Sequence, residues 1–155
     1  DLGRMADVDA APVIEGNVVY VSSYKEQTLA IDGPSGRPMW ARDHGGAGQL
    51  AVTSAAVLLS DGKGVVWALD KYSGAALWSQ PALARRELTG TAVLGDYAVV
   101  GDLEGYVHLM RLSDGELAGR IKHSGERLLA APQVNNGVLL VQDVDGKLAA
   151  YGLRQ

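Results

Sequence analysis

The sequence predicts an all-β chain folded as a β-propeller with four-stranded antiparallel blades. Three observations carry that expectation. The pattern Ala-x-Asp-x-x-Ser-Gly-x-x-x-Trp occurs twice, at Ala30 to Trp40 and at Ala68 to Trp78, with Gly36 and Gly74 38 residues apart. A period of 41 residues links Gly64, Gly105 and Gly146, and likewise Ala68, Leu109 and Ala150. No stretch shows amphipathic helix periodicity over ten or more residues; the nearest, Leu83 to Leu88, is too short. Units of about 40 residues built from short strands are the signature of propeller blades. The competing arrangement, an ordinary antiparallel sandwich, leaves the match between the two motif copies to chance.

Each unit repeats one order of elements. A short apolar run comes first: Pro12-Val13-Ile14, Leu50-Ala51-Val52, Thr91-Ala92-Val93-Leu94 and Pro132-Gln133-Val134. A second run follows, at Val18 to Val21, Ala55 to Leu59, Tyr97 to Val100 and Val138 to Val141. Gly16-Asn17, Gly95-Asp96 and Asn135-Asn136-Gly137 lie between the two, and these residue types tolerate the positive φ of tight hairpins. A third run enters from the turns beginning at Asp61, Asp102 and Asp143. The repeats span about 8–44, 48–82, 88–122 and 128–155 of one domain.

The long motif closes each unit, and its residues suit packing between blades. The Asp ends a strand and its carboxylate accepts turn amides. The Ser-Gly pair makes the turn. The Trp on the next strand is placed to cover a neighbouring blade's backbone, and the small Ala is expected to leave room for an adjacent blade's Trp. Ala30, Gly36, Trp40, Ala68, Gly74 and Trp78 are therefore read as structural inter-blade residues. The third copy, Leu109 to Gly119, has lost the Ala, the Asp and the Trp, so its packing is expected to be looser or differently filled. In the first repeat Glu26 stands where Gly64 and Gly105 stand in the next two, so that hairpin differs.

A closed propeller uses about four to eight blades. Four repeats, an abrupt start and no Trp-bearing strand after Ala150-Tyr151-Gly152 lead to the expectation that this chain is about half of a longer ring. Half a ring leaves unprotected blade edges, so self-association is expected.

Composition removes several functions. A net charge of −4 argues against general nucleic-acid binding. The absence of cysteine excludes a disulfide framework, a thiolate metal site and a cysteine nucleophile within these 155 residues. No apolar run reaches the length of a membrane-spanning helix. His44, His108 and His123 lack metal-ligand spacing; His108 is expected at an alternating surface position of a strand, the other two in links between repeats. Gly45-Gly46-Ala47-Gly48 and Gly62-Lys63-Gly64 read as links and turns, since neither opens a helix that would cradle phosphate. Asp143-Val-Asp145-Gly146 has the start of a calcium loop but not its later glutamate, and Asp102-Leu-Glu104-Gly105 is its repeat equivalent, so these acids read as hairpin-turn residues. No catalytic, cofactor-binding or metal-binding residue is assigned.

Asp7 and Asp9 differ from the other acids. They precede the first strand, and the matching place in the fourth repeat, Arg127-Leu128-Leu129, holds none. The repeat does not demand them. Exposed paired carboxylates suit an arginine-bearing partner; they also suit a solvated loop or local backbone amides.

The motif resembles the tryptophan-docking repeat of quinoprotein-type propellers. Asp7-Val-Asp-Ala-Ala-Pro-Val13, Gly16-Asn-Val-Val-Tyr20, Ala30-Ile-Asp32 and Val99-Val-Gly-Asp-Leu-Glu-Gly-Tyr-Val-His108 are together similar to the C-terminal half of the BamB family, lipoproteins of the outer-membrane β-barrel assembly machinery. That resemblance covers essentially the whole chain. It implies half of an eight-bladed ring on the periplasmic face of the outer membrane, and a non-enzymatic scaffold without cofactor. It implies docking to a POTRA domain of BamA through Asp7 and Asp9, possible contact with unfolded outer-membrane proteins, and a membrane link only through a lipid anchor outside this segment. The alternatives from the same superfamily are a fragment of a quinone (PQQ)-dependent dehydrogenase and the sensor propeller of a membrane kinase.

Overall fold

The computed structural model describes residues 11–23, 27–46 and 48–154. The described residues contain fifteen strands in four sheets and no helix. The first blade holds β1 (Val13–Glu15), β2 (Val18–Ser23), β3 (Gln27–Asp32) and β4 (Pro38–Arg42). The second holds β5 (Ala51–Val52), β6 (Ala56–Ser60), β7 (Val66–Asp70) and β8 (Ala76–Gln80). The third holds β9 (Ala92–Leu94), β10 (Tyr97–Gly101), β11 (Tyr106–Arg111) and β12 (Leu117–Lys122). The fourth has β13 (Gln133–Asn135), β14 (Val138–Gln142) and β15 (Leu148–Gly152). Within every sheet the strands lie in sequence order and pair antiparallel, as hairpin connections require.

One register recurs. Tyr20 pairs with Ala30 and Ala30 with Trp40; Leu58 pairs with Ala68 and Ala68 with Trp78; Val99 pairs with Leu109 and Leu109 with Gly119. A bulge follows each triplet, after Ala30, Ala68 and Leu109. The bulge leaves Met39, Leu77 and Ala118 without a cross-strand partner. It kinks the fourth strand as it leaves the turn and so re-aims the indole two residues after the strand begins.

The core lies between sheets and has three parts. Tyr20, Ala30 and Trp40 of the first blade pack with Leu50, Val57, Leu59 and Leu69 of the second and its entry. Leu58, Val66 and Ala68 pack with Ala98, Val100 and Met110 of the third blade. Leu94, Val99 and Val107 pack with Leu128, Leu139 and Val141 of the fourth. The middle strands of the second and third blades are thus covered on both faces, which explains why β6 is buried at all five positions.

Each motif indole reaches the next blade. Trp40 Nε1 donates to the Lys71 carbonyl at 3.0 Å, and Trp78 Nε1 donates to the Leu112 carbonyl at 2.8 Å. The rings lie on the turn glycines: a Cβ placed on Gly74 would stand 2.6 Å from Trp40 Cδ2, and one on Gly115 would stand 2.3 Å from Trp78 Cε3. Both glycines also have positive φ, 75° and 76°. The motif Gly therefore makes room for the neighbouring blade's indole. The Ala does not, contrary to the sequence expectation: its cross-strand partner is the Trp of its own blade, with which it shares a hydrophobic cluster.

Two comparisons test this contact. Gly74→Ala is expected to lower unfolding stability by several kcal/mol, since it adds a clash to a backbone penalty of about 1–2 kcal/mol. Gly36→Ala, with φ of 70° and no described atom within 4 Å, should show the backbone penalty alone. Trp40→Ala should cost about 3–5 kcal/mol. Urea denaturation of the three variants measures all of this, and equal losses for the two glycine variants would contradict the docking geometry.

Candidate functional site

The turns that present the indoles are held by their own carboxylates. Asp70 Oδ1 accepts the amides of Tyr72 and Ser73, each at 2.9 Å, and these bonds hold its carboxyl below the usual carboxylate range. Asp32 Oδ2 accepts the Ser35 amide and hydroxyl at 3.1 and 2.5 Å. In the third copy Arg111 stands in the Asp position and Asp114 in the Ser position. They pair at 2.7 Å, so the turn survives with its acid moved. Arg42 and Gln80, each two residues past an indole, donate to the Ser73 and Gly115 carbonyls of the next turn.

A second set of acids holds the hairpins between the second and third strands. Asp61 Oδ1 accepts the amides of Lys63 and Val65, Asp102 Oδ1 those of Glu104 and Tyr106, and Asp143 Oδ1 those of Asp145 and Lys147, all within 2.8–3.0 Å. Asp102, Glu104, Asp143 and Asp145 are thus turn residues, as their spacing implied. Among the described residues no three His, Asp or Glu side chains form a candidate metal cluster.

The other carboxylate oxygen distinguishes the blades. Asp61 Oδ2 accepts from Trp67 Nε1 at 2.9 Å, and His44 stacks on that indole at 3.8 Å between centroids. Asp102 Oδ2 meets His108 Nε2 at 2.7 Å and Arg86 Nη1 at 3.0 Å. Ala149 takes the corresponding place in the fourth blade and has nothing to offer. His108 is 3% exposed, which corrects the expected surface position. Alternation along β11 separates one neighbouring blade from the other, not core from solvent, so period-2 patterning misplaces it. His123 is also buried within its link, where its ring nitrogens meet Tyr151 Oη at 2.9 Å and the Lys147 carbonyl at 2.8 Å.

Asp102 has no exposed side-chain surface. Burial pushes its carboxyl up, but His108, the two turn amides and Arg86 together outweigh burial and hold it below its ordinary value. Around it the link between the second and third blades is strained: Arg85 and Glu87 have φ of 67° and 49°. Glu87 also reaches Arg127 of the next link at 3.2 Å.

Asp7 and Asp9, the acids singled out for partner binding, lie outside the described residues, as does Glu26. Of the remaining residues singled out, Trp40 meets Gly74 and Trp78 meets Gly115, while Ala30 and Ala68 sit fully buried opposite the Trp of their own blade. The third interface is differently filled. Leu109 takes the Ala position and Gly119 the Trp position, and Leu109 packs against the cluster of Leu94, Val99, Val107 and Leu139. The cluster of the buried Asp102 and His108 with the half-buried Arg86 was not singled out. Its signal in the sequence is weak: an Asp six residues before a His, inside a repeat whose other members hold Trp and Ala.

Loss of Asp102 should matter more than loss of a surface acid. Asp102→Asn is expected to cost about 3 kcal/mol at neutral pH, because it strips the counter-charge from Arg86 and disrupts the contact with His108 Nε2. The folded carboxyl titrates below its unfolded value, so its contribution is complete above about pH 4 and disappears as pH falls through the folded value. The gap between wild type and variant should therefore shrink in acid. A gap that stays constant from pH 7 to pH 3 in chemical denaturation would contradict the ionised cluster.

The family model described as "Outer membrane protein assembly factor BamB" matches residues 1–80 and 62–154. The protein of that name from Xanthomonas campestris pv. campestris is 57% identical over all 155 residues, and these make up 38% of its own length. The protein of that name from Pseudomonas aeruginosa is 36% identical over 154 residues, 99% of this chain and 40% of its own. The crystal structure of BamB from Moraxella catarrhalis superposes with a TM-score of 0.89 at 28% identity, covering 95% of this chain and 45% of that one. The chain thus spans about two fifths of the length of the curated relatives it matches.

Proposed function

Because the chain belongs to the BamB family of outer membrane protein assembly factors, we propose that it supplies four blades of a non-enzymatic scaffold serving β-barrel assembly at the outer membrane. The observation that carries this is the 57% identity to the Xanthomonas protein across the whole chain. The described blades present turns held by carboxylates and links that cross between blades. Such a surface suits docking of protein partners.

The partner in this reading is BamA, contacted at a POTRA domain on the periplasmic face, with Asp7 and Asp9 as the contacting acids. Two features support those residues. They are not required by the repeat, since Arg127-Leu128-Leu129 fills the matching place in the fourth repeat. Paired carboxylates are also the natural complement of an arginine fork. The lipid anchor belongs to the longer protein in this reading, and unfolded barrel strands are a further candidate partner.

The outward face of the fourth blade supports a longer ring. Val138, Leu140 and Leu148 project from it at 39%, 37% and 64% exposure, whereas Leu139 and Val141, on the other face of β14, are buried against the third blade. In this reading a further blade covers that face in the longer protein.

Two measurements test the proposal. Asp7→Arg with Asp9→Arg in the full-length protein should weaken binding to the BamA POTRA region by roughly 2 kcal/mol or more, measured by calorimetry. Unchanged affinity would remove these residues from the interface. The 155-residue chain alone should sediment as a dimer or larger species at high concentration, because the apolar face of the fourth blade has no cover. A monomer under those conditions would show that this face needs none.

A further inference from the structure

His108 has one nitrogen more than its turn requires. At the same register of the second blade, Trp67 satisfies the hairpin carboxylate with its single polar atom. The imidazole at 108 uses Nε2 for that purpose and keeps Nδ1. Nδ1 has no partner among the described residues. None of their fully buried side-chain nitrogens or oxygens lacks one, so Nδ1 retains access to open space. That space is a hollow of about 460 Å³ between the second link and the outer strand of the third blade, with His108 in its wall.

The lining of the hollow is cationic and apolar. Arg86 and Arg120 stand at it, and Leu83, Leu117 and Ala118 supply its hydrocarbon surface. Arg120 is the cross-strand partner of His108 and lies over the Tyr106 ring at 4.5 Å, a stacking that orients the guanidinium. Lys122 lies over the same ring at 5.4 Å. The one acid in the group, Asp102, is sealed behind the imidazole with both oxygens occupied. Two guanidinium groups and an imidazole therefore border a cavity with no carboxylate in its lining.

We propose that this hollow binds the carboxylate of an acidic side chain from a partner protein. Guanidinium forks match carboxylates in shape, and the apolar wall accepts the methylenes of Glu or Asp. His108 stands in the same wall with Nε2 committed to Asp102, so its ring reports on whatever enters the hollow.

The test uses the full-length protein, the capped peptide Gly-Glu-Gly, its Gly-Gln-Gly counterpart and inorganic phosphate, with binding followed at the His108 ring by NMR and by calorimetry. The Glu peptide is expected to shift the His108 ring saturably and the Gln peptide to leave it unmoved. Arg120→Gln, an exposed substitution, should weaken binding of the Glu peptide by about tenfold. Four results would each overturn the proposal: no saturable shift, equal shifts with both peptides, binding of phosphate alone, or Glu-peptide affinity indifferent to Arg120→Gln.

Discussion

The contact on which the rest depends is an indole laid on a glycine of the next blade. A propeller blade cannot bury both of its faces by itself, so its stability comes from neighbours. Trp40 and Trp78 supply that coupling from the outer strands, each indole reaching a turn of the next blade. Each indole is fixed three ways: by the bulge that aims it, by the Ala opposite it and by the carbonyl that receives its N–H. Each receiving Gly is fixed by the turn that its own blade's carboxylate or ion pair holds. The motif is therefore both plug and socket, and one blade's socket matters only because the preceding blade's plug fills it.

The third interface shows what happens when the plug is absent. Leu109 and Gly119 reverse the sizes of the Ala–Trp pair, so bulk moves from the outer strand to the middle one. The receiving side changes with it: Leu128 and Leu139 close the gap, and the buried His123 ties its link to Tyr151 and Lys147. Coupling is retained by a different mixture of hydrocarbon and hydrogen bonds. This same blade carries the buried Asp102 and His108, with the half-buried Arg86 of the preceding link and the arginine-lined hollow beside them. Relaxing the indole rule in one blade coincides with the appearance of chemistry there that the repeat does not prescribe.

Most of the architecture was legible in the residues. Strand order follows from apolar runs and turn types, and the hairpin acids at 61, 102 and 143 follow from their 41-residue spacing, because local turns need only local partners. The candidate sites were less legible. Asp7 and Asp9 stand out because they break the repeat. His108 does not, since one aromatic or imidazole ring replacing another inside an apolar strand leaves the pattern intact, and the surface position inferred from alternation was wrong for a strand enclosed on both faces.

By itself the sequence determined the strand runs, the antiparallel order and the turns, because all of these depend on contacts within about a dozen residues. Only the tertiary structure decided which backbone each indole would cover, that Ala30 and Ala68 serve their own blade's Trp, and that His108 would be buried against Asp102 with one nitrogen open to a cationic hollow. Those outcomes join residues from different repeats or opposite faces of one sheet. Such pairings are set by how the blades fan out against one another, and no local period encodes them.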